Sequence, residues 1–225
     1  VVSSMQGGTI DLCVMNSSLL AGVVREMGIL DFPFVFNNEK EAYTVLDGPF
    51  GKKLHGLLTP KGVVGLSYWE QGWRQFHTGK KQIAKADDLG GLKWRVGGGM
   101  VNEISKALGM NVTLKPAPES YELLSSGVMD GTLFPAESVE SFKIDKVIKY
   151  GTTYPGGLYN TAFVFMMNQA TYDKLPADVK KAVDELSGEY AARMIGKGWD
   201  KVDRRGLAFM QAAGVQFTKA DPAFV

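Results

Sequence analysis

Cysteine and histidine are nearly absent from this 225-residue chain: it has one cysteine, Cys13, and two histidines, His55 and His77. A lone cysteine forms no internal disulfide, and one cysteine with two histidines is a meagre donor set for zinc. Cys13 sits in an apolar run, where a small buried hydrophobe is expected. An excess of one charge is lacking too. The 25 basic and 24 acidic residues leave a formal charge of +1, so bulk charge argues against a nucleic-acid partner and against a polybasic membrane-surface protein. No apolar run approaches the ~20 residues of a membrane helix. No signal peptide is visible, but the chain opens at Val1 without an initiator methionine, and we expect its true N-terminus to lie upstream. Nucleotide and hydrolase motifs are missing as well. GGG at 97–99 has neither the G-x-G-x-x-G spacing nor the Gly-Lys-Ser/Thr of a P-loop, and Ser67 lacks a G-x-S-x-G setting. No cofactor and no metal is expected.

What is present is an alternation of short apolar segments with amphipathic ones, the pattern of an α/β architecture. Strands are predicted at 10–15, 63–67, 92–96, 112–114, 131–134, 149–153, 161–167 and 215–218. Helices are predicted at 39–58, capped by Asn37 or Asn38, at 101–108 before Gly109, and at 120–126 before Gly127. A helical turn is expected at 85–91. After Pro176, a good first-turn residue, Val179, Ala182, Val183, Leu186, Tyr190 and Met194 recur at three- and four-residue steps and form one apolar stripe. Gly188, Gly196 and Gly198 are expected to bend or split this long helix.

Two arginines stand out. Arg95 ends an apolar strand in GGLKWRVGGG (90–99). Ligands of α/β sheets gather at carboxyl ends of strands, an arginine there can grip a carboxylate with two parallel hydrogen bonds, and the glycines from Gly97 onward allow close backbone approach. A structural ion pair is the alternative reading. Arg74, in YWEQGWRQFH (68–77), lies among Trp69, Trp73 and Phe76, which suits either an apolar pocket with a second cationic contact or an aromatic core edge. The pairs Asp87/Asp88 and Glu137/Glu140 read as solvated caps or helix faces. His77 is the only candidate general base, and no nucleophile or orienting acid accompanies it.

The ordered motifs resemble the periplasmic solute-binding subunits of TRAP transporters, the DctP type. GTIDL at 8–12 is similar to that family's G-x-I-D-M strand, DFPFVF at 31–36 to D-L-P-F-L-F, and ADDLGGLKWRV at 86–96 to P-x-D-L-K-G-L-K-I-R-V. GPFGKKL (48–54), KGVVGLSYWEQGWR (61–74), ALGM (107–110), PESYELLSSGVMDG (118–131), KYGTTY (149–154) and MMNQATYDKLPADVKKAV (166–183) follow in the family's order.

The resemblance implies an α/β, two-lobed clamp like the periplasmic binding proteins, with a long helix spanning both lobes. Lobe I would take 1–70 and 161–199, and lobe II 71–160 and 200–225. It implies Arg95 as the carboxylate anchor, Arg74 as a second ligand-facing arginine, and Asn16 as a polar contact after the first matched strand. Gly97 and Tyr159 join them as ligand-binding candidates. Where sialic-acid binders place an asparagine after their D-G pair, this chain has Phe134 in DGTLFPAES (130–138). With Trp69 and Trp73, that substitution suggests an apolar or aromatic tail on the ligand, since apolar walls leave sugar hydroxyls unpaired.

The expected function is periplasmic capture, without chemistry, of a small monocarboxylate, aromatic or 2-oxo/2-hydroxy, such as benzoylformate or mandelate. Its partners would be the membrane subunits of a TRAP transporter, and a monomer is expected. A C4-dicarboxylate or sugar-acid ligand is the first alternative, and a small α/β hydrolase or lyase using His77 the distant one. The resemblance also places a first strand and helix upstream of Val1.

Overall fold

The computed structural model describes residues 1–33, 35–36, 38–154 and 157–224. In chain order the strands are β1 Leu12–Asn16, β2 Val63–Glu70, β3 Gln75–Thr78, β4 Lys93–Val96, β5 Asn111–Leu114, β6 Gly131–Phe134, β7 Tyr150–Thr153, β8 Ala162–Asn168 and β9 Gln216–Lys219. The helices are α1 Val2–Gln6, α2 Ser17–Leu20, α3 Glu39–Leu46, α4 Pro49–Gly56, α5 Met100–Ala107, α6 Ser120–Ser125, α7 Ala136–Ser141, α8 Gln169–Asp173, α9 Ala177–Leu186 and α10 Gly188–Ala212.

The chain divides into two compact units. Unit 1 comprises Val1–Asp31, Phe36–Gln71 and Thr161–Gly198, and unit 2 comprises Phe32–Val35, Gly72–Asn160 and Trp199–Val225. Helix α10 supplies residues to both.

Unit 1 is built on an antiparallel sheet of order β1-β8-β2. Val63, Tyr68, Val164 and Met166 of this sheet are buried. The helix predicted over 39–58 is two helices, because Gly48 and Pro49 interrupt it. Proline has no N–H to give a preceding turn, and Pro49 instead opens α4. Asn38 caps α3 by accepting the Glu41 N–H at 2.9 Å. Asn37, the other expected cap, lies outside the described residues. Cys13, expected to be buried, is only half-buried on the edge strand β1 and forms no disulfide, and its partial burial raises the thiol pKa.

Unit 2 carries a six-stranded mixed sheet of order β5-β4-β6-β3-β7-β9. Strand β3, which the sequence reading missed, joins the sheet by antiparallel pairing with β6 and β7. One face packs Phe76, Trp94, Val96 and Leu133 into an apolar cluster, and Phe134, Val139, Ile144 and Met210 form a second.

The stripe after Pro176 does not face a core. Val179, Leu186, Tyr190 and Met194 are exposed, and α9 has no buried residue. Small residues of α10 are buried instead: Ala191, Ala192, Gly196 and Gly206. A Cβ on Gly196 would fall 2.1 Å from the Tyr43 hydroxyl, so close backbone approach decides which side of the helix is covered. The helix is unbroken at Gly196 and Gly198, and the interruption falls at Ser187, before Gly188 with its left-handed φ of 57°.

Candidate functional site

Arg95 is the third residue of β4, between Trp94 and Val96, which both enter the first apolar cluster. Alternation therefore turns Arg95 to the opposite face. On the neighbouring parallel strand Arg95 stands opposite Thr132, and Phe134, two residues further, shares that face. The guanidinium carbon lies 4.8 Å from the centroid of the Phe134 ring, close enough for a cation–π contact. Its Nε–H donates to the Lys115 carbonyl at 2.9 Å. Arg95 is only 4% exposed, and among the described residues its side chain has no ion pair and no further hydrogen bond. Burial, with Arg74's charge adding to it, lowers its pKa to about 10, while Tyr159 and Glu119 oppose the shift. It is still a cation at neutral pH.

Arg74 is also buried. A backbone bridge fixes it to Tyr159: the Arg74 N–H donates to the Tyr159 carbonyl, and the Leu158 N–H donates to the Arg74 carbonyl, both at 3.0 Å. Its guanidinium lies 5.7 Å from the Tyr159 ring centroid, and its Nη1 donates to the Gly72 carbonyl at 3.2 Å. Gly97 follows β4 directly and is exposed. Trp73 is half-buried, with its Cβ close against Gly157.

Of the predicted site residues, Arg74, Trp73, Arg95, Gly97, Phe134 and Tyr159 thus belong to unit 2, whereas Asn16 and Trp69 belong to unit 1. Asn16 caps α2 by accepting the Ser18 N–H at 2.8 Å, and the Trp69 ring stacks on Phe165 at 5.1 Å.

Among the titratable groups His77 keeps its structural reading and Glu137 changes. His77 is buried, its Nε2 donates to the Phe134 carbonyl at 3.0 Å, and its Nδ1 has no partner. Burial pulls its pKa down to about 4, so it is a neutral structural donor rather than a base. Glu137, expected on a solvated face, is buried and accepts from the Ser138 and Ser141 hydroxyls. Asp88 does cap a turn, accepting the Ala84 and Lys85 N–H groups, which hold its carboxyl below the usual range.

Sequence reasoning did not anticipate a cleft of about 400 Å³ in unit 1, lined by Asp47, Lys52, His55, Tyr68 and Glu189 among others. His55 stacks on Tyr68 with ring centroids 4.0 Å apart, and burial lowers its pKa to about 4. None of the predicted site residues lines this cleft, and its mixture of acids and bases favours no single ligand charge.

Chemically, the unit 2 cluster sets two buried guanidinium groups beside aromatic rings. The Arg95 guanidinium carbon stands over the Phe134 ring and its Nε is committed, which leaves the Nη1/Nη2 edge. That edge is the geometry that meets a carboxylate with two parallel N–H···O bonds.

The family model of bacterial extracellular solute-binding proteins, family 7 (DctP), matches residues 1–224. A solute-binding protein of Verminephrobacter eiseniae is 33% identical over 218 residues, which covers 95% of this chain and 63% of the relative. A TRAP periplasmic solute-binding protein of Bordetella bronchiseptica, solved with bound (R)- and (S)-mandelate, superposes with a TM-score of 0.88 at 31% identity, covering 99% of this chain and 71% of that one. The sugar acid binding protein of Advenella mimigardefordensis, in complex with galactonate, gives a TM-score of 0.91 at 31% identity, with coverage of 99% and 71%. The chain therefore spans about three fifths of the length of the curated relative.

Proposed function

We propose, since the chain belongs to the DctP family of bacterial extracellular solute-binding proteins, that it captures a small organic acid in the periplasm for a TRAP transporter, with Arg95 as the carboxylate anchor. A single observation carries the anchor assignment: a guanidinium 4% exposed, with no ion pair among the described residues. Burying an unpaired charge costs several kcal/mol, of which one ring contact and one carbonyl hydrogen bond return only part. A ligand carboxylate is a partner of opposite sign. The role is binding rather than catalysis. We read units 1 and 2 as the two lobes of the family's clamp, and Asn16 and Trp69 enter the site only through the family resemblance.

For the ligand we favour a monocarboxylate oxygenated at C2. Mandelate and galactonate, the ligands of two similar proteins, share that group and differ in the tail. An aromatic or apolar tail is the first reading, supported by the Phe134 ring at Arg95 and the Tyr159 ring at Arg74. A sugar acid is the second, supported by the galactonate-bound relative.

Calorimetric titration with (R)-mandelate, benzoylformate, D-galactonate and succinate tests the proposal. Binding of mandelate or benzoylformate at least tenfold tighter than galactonate is expected. The reverse order selects the sugar-acid reading, tightest binding of succinate selects a dicarboxylate, and no heat with any acid overturns the function.

A further inference from the structure

Phe134 ends β6, and the chain turns at Pro135 into α7. That turn is held from two sides. Beneath it, the buried His77 of β3 donates from Nε2 to the Phe134 carbonyl at 3.0 Å. Beside it runs the C-terminal part of α10. There Asp203 accepts the Glu137 N–H on Oδ1 at 3.0 Å, and the Ala136 N–H also bonds its carboxylate. These are first-turn amides of α7, which has no side-chain cap of its own, so the capping group comes from a distant helix.

The approach of the two helices is built for this bond. Gly206 stands three residues after Asp203, on the same side of α10. A Cβ there would fall 2.3 Å from the Ala136 carbonyl oxygen, so only glycine lets α10 come this near. Asp203 also reaches back toward the other arginine. A Cβ on Gly72 would meet its carboxylate at 2.8 Å, and Arg74's charge acts on it.

We propose that Asp203 is a positioning residue for the anion site: by holding the amides of Ala136 and Glu137 it fixes the β6–α7 turn, and with it the Phe134 ring over which the Arg95 guanidinium carbon stands. Asp203 does not touch the ligand. It acts by keeping the ring against the guanidinium, so that Arg95 presents its Nη groups. The inference rests on the anion-site reading given above.

A double-mutant cycle tests it, with (R)-mandelate and D-galactonate as probes and the melting temperature followed in parallel. Asp203→Ala is expected to weaken binding of the preferred acid five- to tenfold in the native background and less than twofold in a Phe134→Ala background. Asp203→Asn keeps an acceptor for the Glu137 N–H and is expected to stay within twofold of the native protein. An equal loss in both backgrounds, or an unchanged affinity despite a lowered melting temperature, overturns the positioning role. If Asp203→Ala does not fold, Gly206→Ala takes its place in the same cycle, with the same expectation and the same overturning results. A native protein that binds neither acid overturns the site reading and this proposal together, whereas a binding protein indifferent to Asp203 overturns this proposal alone.

Discussion

The guanidinium carbon of Arg95 stands over the Phe134 ring, 4.8 Å from its centroid, while its Nε–H is spent on the Lys115 carbonyl. The two contacts hold a buried cation in one orientation before any ligand arrives, which reduces the side-chain ordering that binding would otherwise cost.

Replacing Arg95 by alanine is therefore expected to separate affinity from stability. Truncating one partner of a buried charge pair costs about 2–5 kcal/mol of binding, roughly 30-fold or more in Kd. The ligand-free protein should melt no lower than the native one, because an unpaired buried charge has been removed. Arg95→Lys should recover little, since an ammonium cannot form two parallel bonds or stack as a plane does. Calorimetry and thermal unfolding of the free protein check both halves. A loss below tenfold sinks the anchor assignment.

The glycines after β4 should divide in the same way. Gly99 has φ 64° and ψ −142° and stands just before α5, in a region that a side chain enters only under strain. Gly99→Ala is expected to cost about 1–3 kcal/mol of stability. Gly97 is free of that constraint, and a Cβ there would sit 3.8 Å from Arg95 Nη2 in ordinary contact. Gly97→Val should leave the unfolding midpoint nearly unchanged while it crowds the edge offered to a carboxylate. Equal melting losses for both variants would show that the two glycines serve the turn alone.

Local pattern made part of this legible. An arginine inside LKWRV is conspicuous because its neighbours are apolar, and strand alternation alone separates it from Trp94 and Val96. The six-stranded sheet was mostly readable for the same reason, but β3 was not. Gln75–Thr78 is four residues long inside an aromatic stretch, and its strand character comes from pairing with β6 and β7. The stripe of α9 and α10 misled because periodicity reports that a helix is two-faced, not which face is covered. Gly196, pressed against Tyr43, decides that. The bonds from His77 and Asp203 to the Phe134 turn span 57 and 66 residues, and no local spacing announces them.

Acid should weaken the fold in a way that identifies His77. Its pKa is about 4 in the native state against 6.5 ordinarily, so between these values the unfolded chain binds more protons. Stability is complete above about pH 6.5 and declines as the pH falls toward 4. One pKa unit corresponds to ~1.4 kcal/mol, which puts the loss on the order of 3 kcal/mol at pH 4. His55, depressed for the same reason, adds a loss of the same sign. Asp47 and Asp203, whose pKa values burial raises, contribute with the opposite sign and partly mask the effect. The comparison that isolates His77 is His77→Gln, whose side-chain amide can still donate to the Phe134 carbonyl but does not titrate. Urea unfolding of both proteins at pH 7, 5.5 and 4.5 should give a shallower decline for the variant. Parallel declines would mean that His77 titrates at its ordinary pKa and that the Phe134 carbonyl bond survives its protonation.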